Sequence, residues 1–183
     1  MLRGAVALVI FSTIAIAEDW ARFRGPNGTG VSASATAPVD FAPGRNVLWK
    51  SDVPTGHSSP VLLGDRLFLT GEQDGKLFTL CLHRGTGKLL WKKEAPRPRR
   101  EVFDKRNNAA SATPAAEPDA IYVFFPEFGL LSYTVGGSER WRLPLGPFDN
   151  FYGMGASPVI AGDTIVLICD QRKNSFALGV DKR

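Results

Sequence analysis

The chain holds few groups that could carry covalent or metal chemistry: two histidines, His57 and His83, and two cysteines, Cys81 and Cys169. A metal centre needs three or four such ligands converging, and no ligand pair here shows metal spacing. Asp65 and Asp163 each follow a glycine, Gly64 and Gly162, so turn chemistry accounts for them. No catalytic nucleophile, general base or metal ligand is assigned. In an oxidising compartment Cys81 and Cys169 could join in a disulfide or stay apart as two small buried hydrophobes. What is left for binding is His57, Asn107, Asn108 and Tyr152, and whether they belong together depends on the elements that carry them.

Those elements are strands. From Ser58 to Pro96 the chain reads as four short strands: a run at Val61 to Leu63, a turn at Gly64-Asp65, alternation from Arg66 to Thr70 and a turn at Asp74-Gly75. A last turn at Gly85-Thr86-Gly87 precedes an outer strand at Lys88 to Lys92. The same landmarks return downstream. Ser59-Pro60, Thr113-Pro114 and Ser157-Pro158 are each followed, six residues after the Ser or Thr, by Asp65, Asp119 or Asp163. Counted from the tryptophans, Gly87 to Trp91 aligns with Gly137 to Trp141, and Asn46 to Trp49 forms a weaker copy. The spacings of 42 and 50 between Trp49, Trp91 and Trp141 suit a four-stranded repeat and exceed those of most helical ones. The expected fold is all-β: a partial propeller of four-stranded antiparallel blades at about 56–96, 110–147 and 156–183. Two are full, the third is most of one, and Asn46 to Val53 is a lone strand ahead of them.

The repeat alignment makes Gly56-His57-Ser58, Ala110-Ser111-Ala112 and Met154-Gly155-Ala156 equivalent, each leading into the innermost strand of a blade. Equivalent positions of a radial repeat fall on one ring, so His57, Asn107, Asn108 and Tyr152 are expected on a common channel rim.

The blade ending resembles the tryptophan-docking motif of pyrroloquinoline-quinone-type (PQQ-like) propeller repeats, Ala-x-Asp-x-x-Thr-Gly-Lys-x-x-Trp. Thr86, Gly87, Lys88 and Trp91 match it, with Cys81 and His83 at the Ala and Asp positions. The second copy keeps Gly137 and Trp141, with Leu131 and Tyr133 at those two positions, and the third keeps Asp181. The resemblance runs from about Trp20 onward and implies a structural docking role for Thr86, Gly87, Trp91, Gly137 and Trp141. It also brings PQQ into view as a cofactor, which nothing else in the sequence requests. The fold hosts many functions, so the motif marks an architecture and not an activity.

Ahead of the blades, Met1-Leu2-Arg3, the apolar run Ala5 to Ile16 and an Ala-x-Ala end at Ala17 read as a signal peptide over residues 1–17, too short to span a membrane. The mature protein is therefore expected outside the cytoplasm, periplasmic or secreted, with no membrane span. Residues 18–45 form an arm and linker. Trp20-Ala21-Arg22-Phe23-Arg24-Gly25-Pro26 resembles the segment before the first blade in secreted bacterial members of the group, which implies that Trp20 and Phe23 bury against the rim.

The whole chain has 22 Lys+Arg against 18 Asp+Glu, a net charge of +4, and losing Arg3 with the signal peptide brings it closer to neutral. With no basic stripe on a repeated face, nucleic acid is not an expected partner. The most charged stretch, Arg97 to Arg106, reads as a solvated loop. Two function classes follow: a non-enzymatic binding or assembly scaffold, a fragment of a larger propeller completed by a protein partner or by self-association, and a fragment of a PQQ-dependent alcohol or sugar dehydrogenase. The enzymes of the group carry a Cys-Cys pair, and none occurs here.

Overall fold

The computed structural model describes residues 18–33, 38–42 and 44–183; the signal-peptide reading at 1–17 lies outside them. The first sheet is β1 (Val61–Leu63), β2 (Arg66–Gln73), β3 (Lys76–His83) and β4 (Leu89–Ala95). The second is β5 (Ala115–Glu117), β6 (Ala120–Phe125), β7 (Gly129–Thr134) and β8 (Glu139–Pro144). The third is β9 (Val159–Ala161), β10 (Thr164–Cys169) and β11 (Phe176–Asp181). Each is an antiparallel meander with strands in chain order. The turns follow from residue type: Asp74 (φ 51°) and Gly75 (φ 72°) both sit left-handed between the paired Gln73 and Lys76. That is the two-residue hairpin that Asp-Gly favours.

The sheets stack face to face, and burial shows the order. All six residues of β6 are buried, whereas β10 is buried mainly at alternate positions. The continuous apolar run Ile121-Tyr122-Val123-Phe124-Phe125 is thus the mark of a strand covered on both sides. On one side Ile121, Val123, Leu131 and Tyr133 meet Val61, Phe68, Cys81 and Trp91 of the first sheet. On the other, Tyr122, Phe124 and Leu130 meet Ile165, Leu167 and Cys169 of the third. Both cysteines are buried and free; burial pushes the Cys81 thiol up to about 11 and raises that of Cys169 as well. Among the described residues no helix is long and apolar enough to cross a membrane.

Four expectations are corrected. Asn46 to Val53 is not a strand: Asn46 sits left-handed in a bend (φ 60°), and among the described residues no strand pairs with 46–53; just beyond it Thr55 bridges to Glu72. The copies of the docking motif are also out of step by one residue. Cys81 lies opposite Trp91 and Ser132 opposite Trp141, so Ser132 and Thr134, not Leu131 and Tyr133, occupy the Ala and Asp positions. The turn at Val135 to Gly137 is one residue shorter than that at Arg84 to Gly87. Third, Phe23 is 52% exposed, because the arm lies along the inner strands: Trp20 bridges Leu62 and the Ala116 N–H donates to the Ala21 carbonyl at 2.8 Å.

The fourth concerns the charged linker, which is not a free solvated loop. Arg97 is only 11% exposed at its side chain and pairs with Glu72 at 2.6 Å and with the buried Glu127. Arg99 donates to the carbonyls of Pro126 and Leu145. The carbonyls of Pro126 and Leu145 and a buried carboxylate need donors, and the linker arginines supply them.

Candidate functional site

The repeated Ser/Thr-Pro positions form a ladder at the inner edge of the arc. The Ser59 N–H donates to Thr113 Oγ1 at 3.0 Å, and the Thr113 N–H donates to Ser157 Oγ at 3.0 Å. Each hydroxyl answers the backbone of the preceding sheet. Proline follows without loss, since it needs no donor of its own.

A second ladder runs along the outer strands. Trp49 Nε1 donates to the Arg84 carbonyl at 2.8 Å, Trp91 to Val135 at 3.0 Å and Trp141 to Lys182 at 3.2 Å. In each case the acceptor is the first residue after the third strand of the next sheet. The glycine of that turn lies under the ring. A Cβ on Gly137 would come within 2.9 Å of Trp91, and one on Gly87 within 2.3 Å of Trp49, and both glycines have positive φ. The Asp position of the motif works as an acceptor for the same turn. His83 Nδ1 accepts the Gly85 N–H at 3.2 Å, Thr134 Oγ1 accepts Ser138 N–H at 3.0 Å and Asp181 Oδ1 accepts Arg183 N–H at 2.9 Å. Three residue types do one task, which is why the position is hard to align by identity. Thr86 contributes a hydroxyl 3.1 Å from His83 Nδ1.

The four binding candidates are divided between two places. His57 is exposed and lines a cleft of about 510 Å³ with Ser111, Thr113, Gly155 and Ser157, closed on the far side by Arg22, Phe23 and Asn27 of the arm. Asn107 and Tyr152 line a separate, smaller hollow of about 380 Å³ with Asp104 and Arg106. Asn107 Nδ2 donates to the carbonyls of Tyr152 and Gly153 at 2.9 and 3.0 Å, and Asn108 Oδ1 caps the Ala110 N–H at 2.9 Å. Asn108 touches the cleft only through Ser111, whose hydroxyl donates to it at 3.3 Å. Both asparagines therefore spend their side chains on loop geometry. Of the four, His57 alone faces the cleft, beside the equivalent positions Ser111 and Gly155.

Beyond the cleft, Glu117 accepts from the Tyr122 hydroxyl at 2.6 Å and from Lys182 at 2.9 Å. Burial works against its charge, but these two bonds outweigh it and hold the carboxyl below its usual value, while burial and Glu117 push Tyr122 up to about 12. This cluster clamps the second sheet to the third. It was missed in the sequence because Glu117 and Lys182 are 65 residues apart and share no motif. Among the described residues no group of three or more His, Cys, Asp or Glu gathers to hold a metal ion.

No family model and no curated protein matches the chain. Solved structures do match. A quinohemoprotein alcohol dehydrogenase, ADHIIG from Pseudomonas putida HK5, superposes with a TM-score of 0.54 at 15% identity, over 74% of this chain and 21% of that one. A europium-containing methanol dehydrogenase gives 0.50 at 13% identity, over 69% and 23%. BamB from Moraxella catarrhalis gives 0.49 at 15%, over 73% and 40%. The chain is an arc of a β-propeller. It spans about a fifth of the length of the two dehydrogenases, and at these identities the likeness is one of fold alone.

Proposed function

We propose that this arc is an extracytoplasmic scaffold without catalytic machinery, which works by docking another polypeptide against its open blades. The supporting observation is the outer face of the third sheet. Val159 and Ile168 are 38 and 55% exposed there, at the side of the arc where the first and second sheets each bury a neighbour. Large apolar side chains exposed on one face of a sheet are the pattern of a surface that another polypeptide can cover. The polar groups around the cleft favour the same reading, since the hydroxyls of Thr113 and Ser157 are already taken by the inner ladder. The signal-peptide pattern of residues 1–17 supports an extracytoplasmic compartment.

A second reading, a fragment of a PQQ-dependent dehydrogenase, draws on the enzymes that share the fold. The cleft residues do not fit that cofactor, a quinone with three carboxylates. The one cation lining the cleft, Arg22, donates to its own Gly25 carbonyl at 3.2 Å, and no acidic set stands by for a counter-cation. Adding quinone and calcium to the purified protein is expected to leave the quinone spectrum unchanged.

Sedimentation of the 18–183 product tests the scaffold reading. It is expected to associate, with a thermal midpoint that rises with protein concentration. A soluble monomer that unfolds cooperatively at a concentration-independent midpoint would overturn it.

A further inference from the structure

The two connections that lead from one sheet to the next, 96–114 and 145–158, hold between them a cleft that neither ladder uses. It measures about 500 Å³ and runs between the 101–104 and 148–151 segments, with Arg172 of the β10–β11 connection in its lining. Val102, Phe103, Phe148 and Phe151 give it apolar walls, and Glu101, Asp104 and Asp149 give it carboxylates. Most of this is held in place. The Glu101 N–H donates to Glu127 at 2.7 Å, Phe103 packs against Gly153, where a side chain would not fit, and Phe148 is buried. Phe151, by contrast, is 70% exposed.

We propose that this cleft binds a small alkylammonium ion, a protonated primary amine carried on an apolar stem. The observation that carries it is the unused half of Glu101. That side chain is only 10% exposed, and its Oε1 accepts from Arg99 Nε at 3.1 Å and from the Phe148 N–H at 3.2 Å. Among the described residues nothing donates to Oε2. A carboxylate so far out of water gains a strong bond from a cationic donor.

The neighbouring charges and rings select the same sign. Neither arginine that pairs with Glu101 or Asp104 lines the cleft: Arg99 donates to the carbonyls of Pro126 and Leu145, and Arg106 lines the adjacent hollow with Tyr152. Three carboxylates therefore face one cation, Arg172, whose Nε already donates to Asp149 at 2.8 Å. Two rings of this region hold a guanidinium, Arg99 over Phe148 at 6.0 Å and Arg106 over Tyr152 at 5.6 Å. Among the described residues no cation stands over Phe151, so its ring is open to one from a ligand. The carboxylates do not gather to hold a metal ion, and apolar walls suit an organic cation better. A free amine and the lysine side chain of a partner polypeptide carry the same head group.

Titration of the purified, isotope-labelled protein with butylammonium chloride tests the site, read at the amide of Phe148, which donates to Glu101. Saturable movement of the Phe148 and Phe151 signals is expected, and butanol, the neutral isostere, is expected to move neither. Glu101→Gln keeps an acceptor for the Phe148 N–H and is expected to weaken binding about tenfold or more. Phe151→Ala removes an exposed ring, leaves the fold intact and is expected to weaken binding about two- to fivefold. Nα-acetyl-lysine methylamide separates the sources: tighter binding than butylammonium assigns a partner's lysine, and equal or weaker binding assigns a free amine. No movement with either amine, an equal response to butanol, or an affinity that Glu101→Gln leaves unchanged would overturn the site. Should that variant not fold, Phe151→Ala decides in its place. The scaffold reading is tested separately, by sedimentation.

Discussion

Replacing Trp91 by alanine is expected to destabilise the protein by about 3 kcal/mol, the low end of the range for burying and then deleting a large aromatic. The ring is partly buried, not fully, which places the effect at that end. Three losses combine. The indole packs against Phe68 and Tyr133 at centroid distances of 5.9 and 6.1 Å, it covers Gly137, and its N–H holds the Val135 carbonyl at 3.0 Å. Trp91→Phe separates them, since it keeps most of the packing and forfeits the hydrogen bond, for a cost of about 1 kcal/mol. Urea denaturation of the three proteins checks the series. A Trp91→Ala protein as stable as the parent would remove the docking role from this residue.

The second large effect is expected at Arg97, where substitution by methionine should cost about 3–5 kcal/mol because it strands a buried carboxylate. Glu127 is 1% exposed at its side chain. Its other oxygen already accepts the Glu101 N–H at 2.7 Å, so no second donor is at hand. Burial disfavours the Arg97 charge, but bonds to Glu72 and Glu127 more than compensate and hold the guanidinium above its ordinary pKa. The ion pair ties the β2–β3 hairpin of the first sheet to the β6–β7 hairpin of the second. Adding Glu127→Leu to Arg97→Met is expected to recover much of the loss, since the stranded charge is gone. A double variant no more stable than the single one would place the cost in the geometry of the linker instead.

How much of this was legible in the sequence depends on whether a residue repeats. Ser59, Thr113, Ser157 and the tryptophans recur at blade spacing, and both ladders are built from them, so the architecture could be read before any coordinate. The slip at Leu131 and Tyr133 arose from two adjacent glycines, Gly136-Gly137. Either could be aligned with Gly87, and only the pairing of Ser132 with Trp141 shows that this turn is shorter. Arg97 misled for another reason. Its partners come from hairpin tips 25 and 30 residues away, and a charged, proline-broken stretch looks the same whether it is solvated or clamped. Phe23 was assigned to a buried rim by its type, whereas the backbone of the arm pairs with the inner strands and turns that side chain toward the cleft. For Asn46 to Val53 the sequence indicated a strand, and what it could not show was the left-handed bend at Asn46 and, among the described residues, the lack of a strand pairing with the segment.

The most direct test of the account is amide exchange at the free edge of β11 and at Ser157, compared at low and high protein concentration. Exchange reports the free energy of opening or exposing each amide. If the open blades are covered by self-association, these amides exchange fast when dilute and become protected as concentration rises, while those of β6, covered on both faces, do not change. Protection at β11 and Ser157 that stays the same at every concentration would contradict it.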